Sequence, residues 1–118
     1  MSKIHVSPYI NFQGRAREAM AFYHKVLGGN LDPQALRLEV DGVLIIASDG
    51  HPNYPATVGD HMAIALGGTD KGRLTKIFND LNEGGKIQMP LAKQSWGGVV
   101  GWLKDRFGIS WTVNIDQA

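Results

Sequence analysis

The sequence contains no cysteine. Disulfides, thiolate metal sites and cysteine nucleophiles are therefore excluded, and the fold must rest on its core. It has no surplus of either charge: twelve Lys and Arg stand against eleven Asp and Glu, a formal net charge of +1. Proteins that grip nucleic acid through its phosphates carry a clear basic excess, so no nucleic-acid partner is expected. Long hydrophobic runs are missing too. The longest aliphatic stretch is residues 43–47, far below the ~20 residues that cross a bilayer, so no membrane partner is expected. Met1-Ser2-Lys3 leads straight into a strand-like segment rather than an apolar leader, which reads as a soluble cytoplasmic protein. There is no HExxH spacing, no phosphate-binding glycine loop followed by Lys-Ser/Thr, and no GxSxG elbow.

What is present suits one folded domain over residues 1–118, with 43% hydrophobic residues and too short a chain for two independent cores. Residues 4–12 alternate, with Ile4, Val6, Ile10 and Phe12 on one side and His5, Ser7, Tyr9 and Asn11 on the other. That is the period of a half-buried strand, and Pro8 marks a strand start, an edge or a bulge. A helix is expected over 15–27, its stripe formed by Ala19, Phe22, Tyr23, Val26 and Leu27 and its stop by Gly28-Gly29. Leu36, Leu38 and Val40 alternate up to Asp41-Gly42, a hairpin signal, and residues 43–47 return as a central strand. The order then repeats. A strand is expected at 61–66, a turn at Gly67-Gly68, and a helix over 70–82 with Leu74, Ile77, Phe78 and Leu81 on its stripe. Short strands are expected at 86–89, 99–104 and 109–115. A constant offset lays Phe22 on Phe78, Gly28-Gly29 on Gly84-Gly85, Gly42-Val43 on Gly98-Val99 and His5 on His61. The reading is α+β: two βαβββ modules, about 4–49 and 61–115, each with a helix over one face of a small sheet.

The stretch Pro8-Tyr9-Ile10-Asn11-Phe12, with Glu18-Ala19, Ala21-Phe22-Tyr23 and Leu27-Gly28-Gly29, resembles the opening of PhnB-like proteins. Trp96-Gly97-Gly98 and the run from Asp105 to Asn114 resemble the other end of that family. PhnB-like proteins belong to the vicinal oxygen chelate superfamily, with glyoxalase I, bleomycin-resistance proteins and extradiol dioxygenases. The resemblance implies paired βαβββ modules forming a curved mixed sheet around a cleft, the glyoxalase/bleomycin resistance fold, commonly as a homodimer. It also implies a divalent metal (Zn, Ni, Mn or Fe) held by His, Gln or Glu from four strands and acting as a Lewis acid.

The metal positions are only partly filled. His61 matches one ligand position. The first-strand position falls near Ser7-Pro8, with His5 as a substitute by the internal repeat. The last-strand Glu is replaced by Thr112, and the remaining position offers only Ser48 or Asp49. Two competent positions fall short of the three or four protein ligands a catalytic ion needs, so no cofactor is favoured; the candidate ligands, if a metal binds, are His5, His61 and Asp49. By strand parity Tyr9, Asn11, His61, Ser110, Thr112 and Asn114 lie opposite the helices. With Trp96 and Trp102 they are the candidate ligand-binding residues, a polar floor with aromatic walls. Trp111 has the opposite parity and is expected in the core. The leading expectation is a small-molecule-binding protein with an incomplete metal site. A metal-dependent enzyme of glyoxalase or dioxygenase type and a non-catalytic sequestering protein stand as alternatives, and no catalytic residue is assigned.

Overall fold

The computed structural model describes residues 4–53 and 55–117. The chain divides into two compact units, Met1–Thr57 and Val58–Ala118. The first contains β1 (Tyr9–Asn11), α1 (Ala16–Leu27), β2 (Asn30–Asp32), β3 (Arg37–Val40) and β4 (Val43–Ser48). The second contains β5 (Ile64–Gly68), α2 (Lys71–Leu81), β6 (Lys86–Lys93), β7 (Val99–Lys104) and β8 (Ser110–Ile115). The strand orders are β1-β4-β3-β2 and β5-β8-β7-β6, and in each sheet the first and last strands of the unit pair in parallel. Both units are therefore βαβββ modules of one topology, as the internal repeat predicts. Among the described residues no helix is long and apolar enough to cross a membrane.

In the first module, Ala16, Ala19, Met20, Tyr23 and Leu27 form the buried stripe of α1. Phe12, Leu38, Ile45 and Ala47 are buried with them. Met20 takes a place in the stripe, while Phe22 and Val26, expected there, are half-buried at its margin. Asp41 and Gly42 both have positive φ, 49° and 84°, the twist that a two-residue hairpin between β3 and β4 needs. The predicted nine-residue first strand is largely unformed. Only Tyr9–Asn11 pairs with β4, and Ile4 and Val6 are exposed. The short β2, Asn-Leu-Asp, carries no alternation from which a strand could be read.

In the second module Leu74, Ile77, Phe78 and Leu81 are buried as expected, and the Asp70 side chain caps α2 by accepting from the Arg73 N–H at 3.1 Å. Trp111, Val113 and Ile115 face the core with Leu103. Two expectations are corrected. The first strand starts at Ile64, so His61 precedes it, and Gly67-Gly68 closes the strand rather than forming a turn. The strand expected at 86–89 runs on through Pro90 to Lys93. It tolerates proline because β6 is the sheet edge and its pairing with β7 is already interrupted at two places.

The glycine pairs that mark the repeat have one physical explanation. Gly28 and Gly84 both have φ of 76°, a backbone conformation that L side chains rarely adopt, Gly28 as the C-cap of α1 and Gly84 two residues past the C-cap of α2. The next glycine in each pair lies against a backbone carbonyl: Gly29 against Glu39 on β3, Gly85 against Lys104 on β7. The chain leaves each helix by passing so close to the neighbouring strand that no Cβ fits.

Candidate functional site

Each sheet has one face under its helix and one face free of it. On the second sheet, strand register defines the free face. Ala65 opposes Thr112, Thr112 opposes Trp102, and Trp102 opposes Met89, which makes one continuous row across all four strands. Gly67, Asn114, Val100 and Ala92 form the next row, and Ser110 and Lys104 stand opposite each other at the far end. Side chains opposed in this way touch or nearly touch. Trp102 remains 37% exposed and Met89 38%, whereas Trp111, of opposite parity, is fully buried. Among the described residues the Ser110 Oγ and Asn114 Oδ1 are buried with no hydrogen-bond partner. Lys104 leans toward Asp60, with Nζ and Oδ2 3.8 Å apart.

Thr112 and Trp102 are thus adjacent, with Asn114 and Ser110 on the same face. His61 is exposed ahead of β5, outside these rows. Trp96 is 66% exposed in the turn between β6 and β7 and folds back over Gly98, whose Cβ would lie 2.8 Å from its indole nitrogen. Tyr9 and Asn11 belong to the first module. Tyr9 is exposed at the edge, and the Asn11 Oδ1 accepts from the Gln13 N–H at 2.9 Å. Asn11 also lines an open depression of about 390 Å³ with Gln13, Gly14, Asp49, Gly50 and His51. Sequence parity did not reveal this hollow, because it forms where β1 and β4 end side by side.

Asp49 Oδ1 accepts from the Gly14 N–H at 2.9 Å and from the Ala16 N–H at 2.8 Å, so this carboxylate closes the N-terminus of α1 from across the module. Arg15, at the cap position, makes no side-chain cap itself. Asp49→Ala is expected to cost about 1 kcal/mol, the usual loss of a helix cap, read as a lower urea midpoint with unchanged slope. The His5 Nδ1 lies 3.0 Å from the Ser7 hydroxyl. Among the described residues no three His, Asp or Glu side chains group to hold an ion. On the free face of the second sheet the Thr112 row offers a hydroxyl, an indole and a thioether. That donor set does not fit a divalent metal, which asks for imidazole or carboxylate ligands.

Comparison with known proteins gives a consistent picture. A family model described as 3-demethylubiquinone-9 3-methyltransferase matches residues 29–114. The crystal structure of protein PA1353 from Pseudomonas aeruginosa is 34% identical, covers 98% of this chain and 100% of its own, and superposes with a TM-score of 0.90. The PhnB protein from Bacillus cereus is 22% identical over 96% of this chain and 100% of its own, with a TM-score of 0.78. A glyoxalase/bleomycin resistance protein from Albidiferax ferrireducens T118 is 13% identical over 94% of this chain and 98% of its own, with a TM-score of 0.70.

Proposed function

The chain belongs to the PhnB-like family, with the glyoxalase/bleomycin resistance fold, and from that premise we propose that it binds a small planar organic molecule on the helix-free face of its second sheet. The observation that carries this reading is the row Ala65–Thr112–Trp102–Met89. It sets an exposed indole beside a hydroxyl and a thioether on a face with few formal charges. An aromatic ring stacks on such a surface, and the hydroxyl fixes its orientation. The proposal is one of binding without a metal: of the expected ligand positions, Thr112 offers only a neutral hydroxyl and Asp49 Oδ1 already accepts from the Gly14 and Ala16 N–H groups. The name of the Albidiferax neighbour, which includes bleomycin resistance, supports a sequestering role. The protein is proposed to act as a cytoplasmic homodimer.

Methyl transfer, which the family description names, is not part of the proposal. A methyl donor of the nucleotide type is ordinarily held by a glycine-rich turn of a doubly wound parallel sheet. Here each sheet has a single parallel pair, and carboxylates already close both helix N-termini, Asp49 at α1 and Asp70 at α2.

A tryptophan fluorescence titration against a panel of planar aromatic compounds tests the reading, in a Trp96→Phe background to remove the turn indole. Saturable quenching by at least one compound is expected, weakened about tenfold or more by Trp102→Ala, the loss of one stacked ring at roughly 1.4 kcal/mol. No quenching across the panel, or affinity indifferent to Trp102→Ala, would sink it.

A further inference from the structure

We propose that the small molecule bound on the second sheet is an aromatic acid, its oxyanion group held by Lys86, Lys104 and Ser110. The inference rests on the binding proposed above and names the chemical class of the ligand. Register places the three residues in one row. Lys86 on β6 opposes Lys104 on β7, and Lys104 opposes Ser110 on β8. Lys104 shares the parity of Trp102, and Ser110 that of Thr112, so the row belongs to the helix-free face.

Two features of this row point to an anion. The first is the pair of lysines. Like charges on directly opposed strand positions repel and destabilise a sheet. A lysine on an edge strand such as β6 also guards that edge, but the guard needs no second lysine opposite it. Among the described residues Lys86 forms no ion pair, and Lys104 forms one, with Asp60 at 3.8 Å. The Asp60 side chain is 71% exposed, so this pairing is weak. Two ammonium groups against one carboxylate leave a positive charge unbalanced.

The second feature is Ser110. It is 3% exposed, and its Oγ has no hydrogen-bond partner among the described residues. A buried hydroxyl left unpaired carries a desolvation cost that nothing offsets. An oxyanion in the row accepts from this hydroxyl and from both ammonium groups. The reach is right for a ligand stacked on the indole. Lys104 stands two residues beyond Trp102 on β7, about 7 Å along the strand, and lysine stems are long and flexible. The row on the other side of Trp102 is Gly67, Asn114, Val100 and Ala92, which carries no charge. The acid group therefore has one end of the face to go to.

Isothermal titration calorimetry on the full chain compares naphthoate, naphthalenesulfonate and neutral naphthamide, which share one ring system. At least one of the two anions is expected to bind about tenfold or more tightly than the amide, and the tighter one identifies the oxyanion taken. Lys104→Met, which keeps an apolar stem, is expected to erase this preference without weakening the amide. Lys86→Met reduces it, and Lys104→Arg retains it. Circular dichroism confirms that each variant is folded. Equal affinities for anions and amide, or a preference that survives both methionine variants, would overturn the acid site and leave ring binding through Trp102 standing. Binding of none of the three would also overturn it, and the Trp102 titration above then decides separately whether neutral rings bind.

Discussion

Asp105→Ala is expected to destabilise the second module by at least about 3 kcal/mol, one of the two largest single-residue effects in the protein. Asp105 is only 4% exposed. Its Oδ1 accepts from the Phe107 and Ile109 N–H groups at 2.9 and 3.0 Å, and its Oδ2 accepts from the Trp111 indole N–H at 2.8 Å. Its backbone also closes the turn, its N–H donating to the Ile109 carbonyl and its carbonyl accepting from the Gly108 N–H, both at 2.9 Å. One carboxylate thus shapes the β7–β8 connection and ties it to the largest fully buried side chain. Alanine leaves three donors without their acceptor. Asparagine is the sharper variant. It keeps the size but turns one acceptor into a donor, so either the turn or the indole must lose its bond. The cost of Asp105→Asn should therefore fall when Trp111→Phe has already removed the indole N–H. Urea unfolding of the two single variants and the double variant measures that coupling. Additive costs would show that Asp105 and Trp111 act independently.

Asp105 also shows where sequence reading stops. It stands between Lys104 and Arg106 before a glycine, and in one dimension it looks like a solvated turn residue. Its burial depends on where the Trp111 ring lies, which no local pattern encodes. Asp49 escaped for the same reason: its partners at Gly14 and Ala16 are distant in sequence. Features set by local periodicity were legible. The α2 stripe follows a helical repeat between an Asp cap and a glycine pair, and Asp41-Gly42 carries its own backbone preference. The start of β5 was not legible, because alternating Ala63 and Ala65 mark a face only weakly and pairing with β8 decides where the strand begins. Within the candidate site, the opposition of Trp102 and Thr112 follows from parity. The place of Met89 beside Trp102 does not, because irregularities on both sides of Met89 reset the phase of β6.

Gly29→Ala is expected to cost at least about 3 kcal/mol, because it adds a clash to an unfavourable backbone conformation. The φ of Gly29 is +87°, and a Cβ there would fall on the Glu39 carbonyl oxygen, 3.0 Å from Val40 Cγ2 and 3.1 Å from the Glu39 carbonyl carbon. The obstruction is mainly the backbone of β3, held by pairing with β2 on one side and β4 on the other. It cannot swing aside as a side chain would. Gly42 separates the two contributions. Its φ is +84°, and a Cβ there meets nothing within 4 Å. Gly42→Ala therefore carries conformational cost alone, about 1 kcal/mol. Thermal or urea unfolding of the two variants side by side gives the clash as the difference. Gly85→Ala, placed against the Lys104 carbonyl in the second module, should resemble Gly29→Ala although its φ is not in the left-handed region. Equal, small effects at Gly29 and Gly42 would mean that β3 yields to an added methyl group, and the close passage of chain past strand would no longer explain why each helix is followed by two glycines.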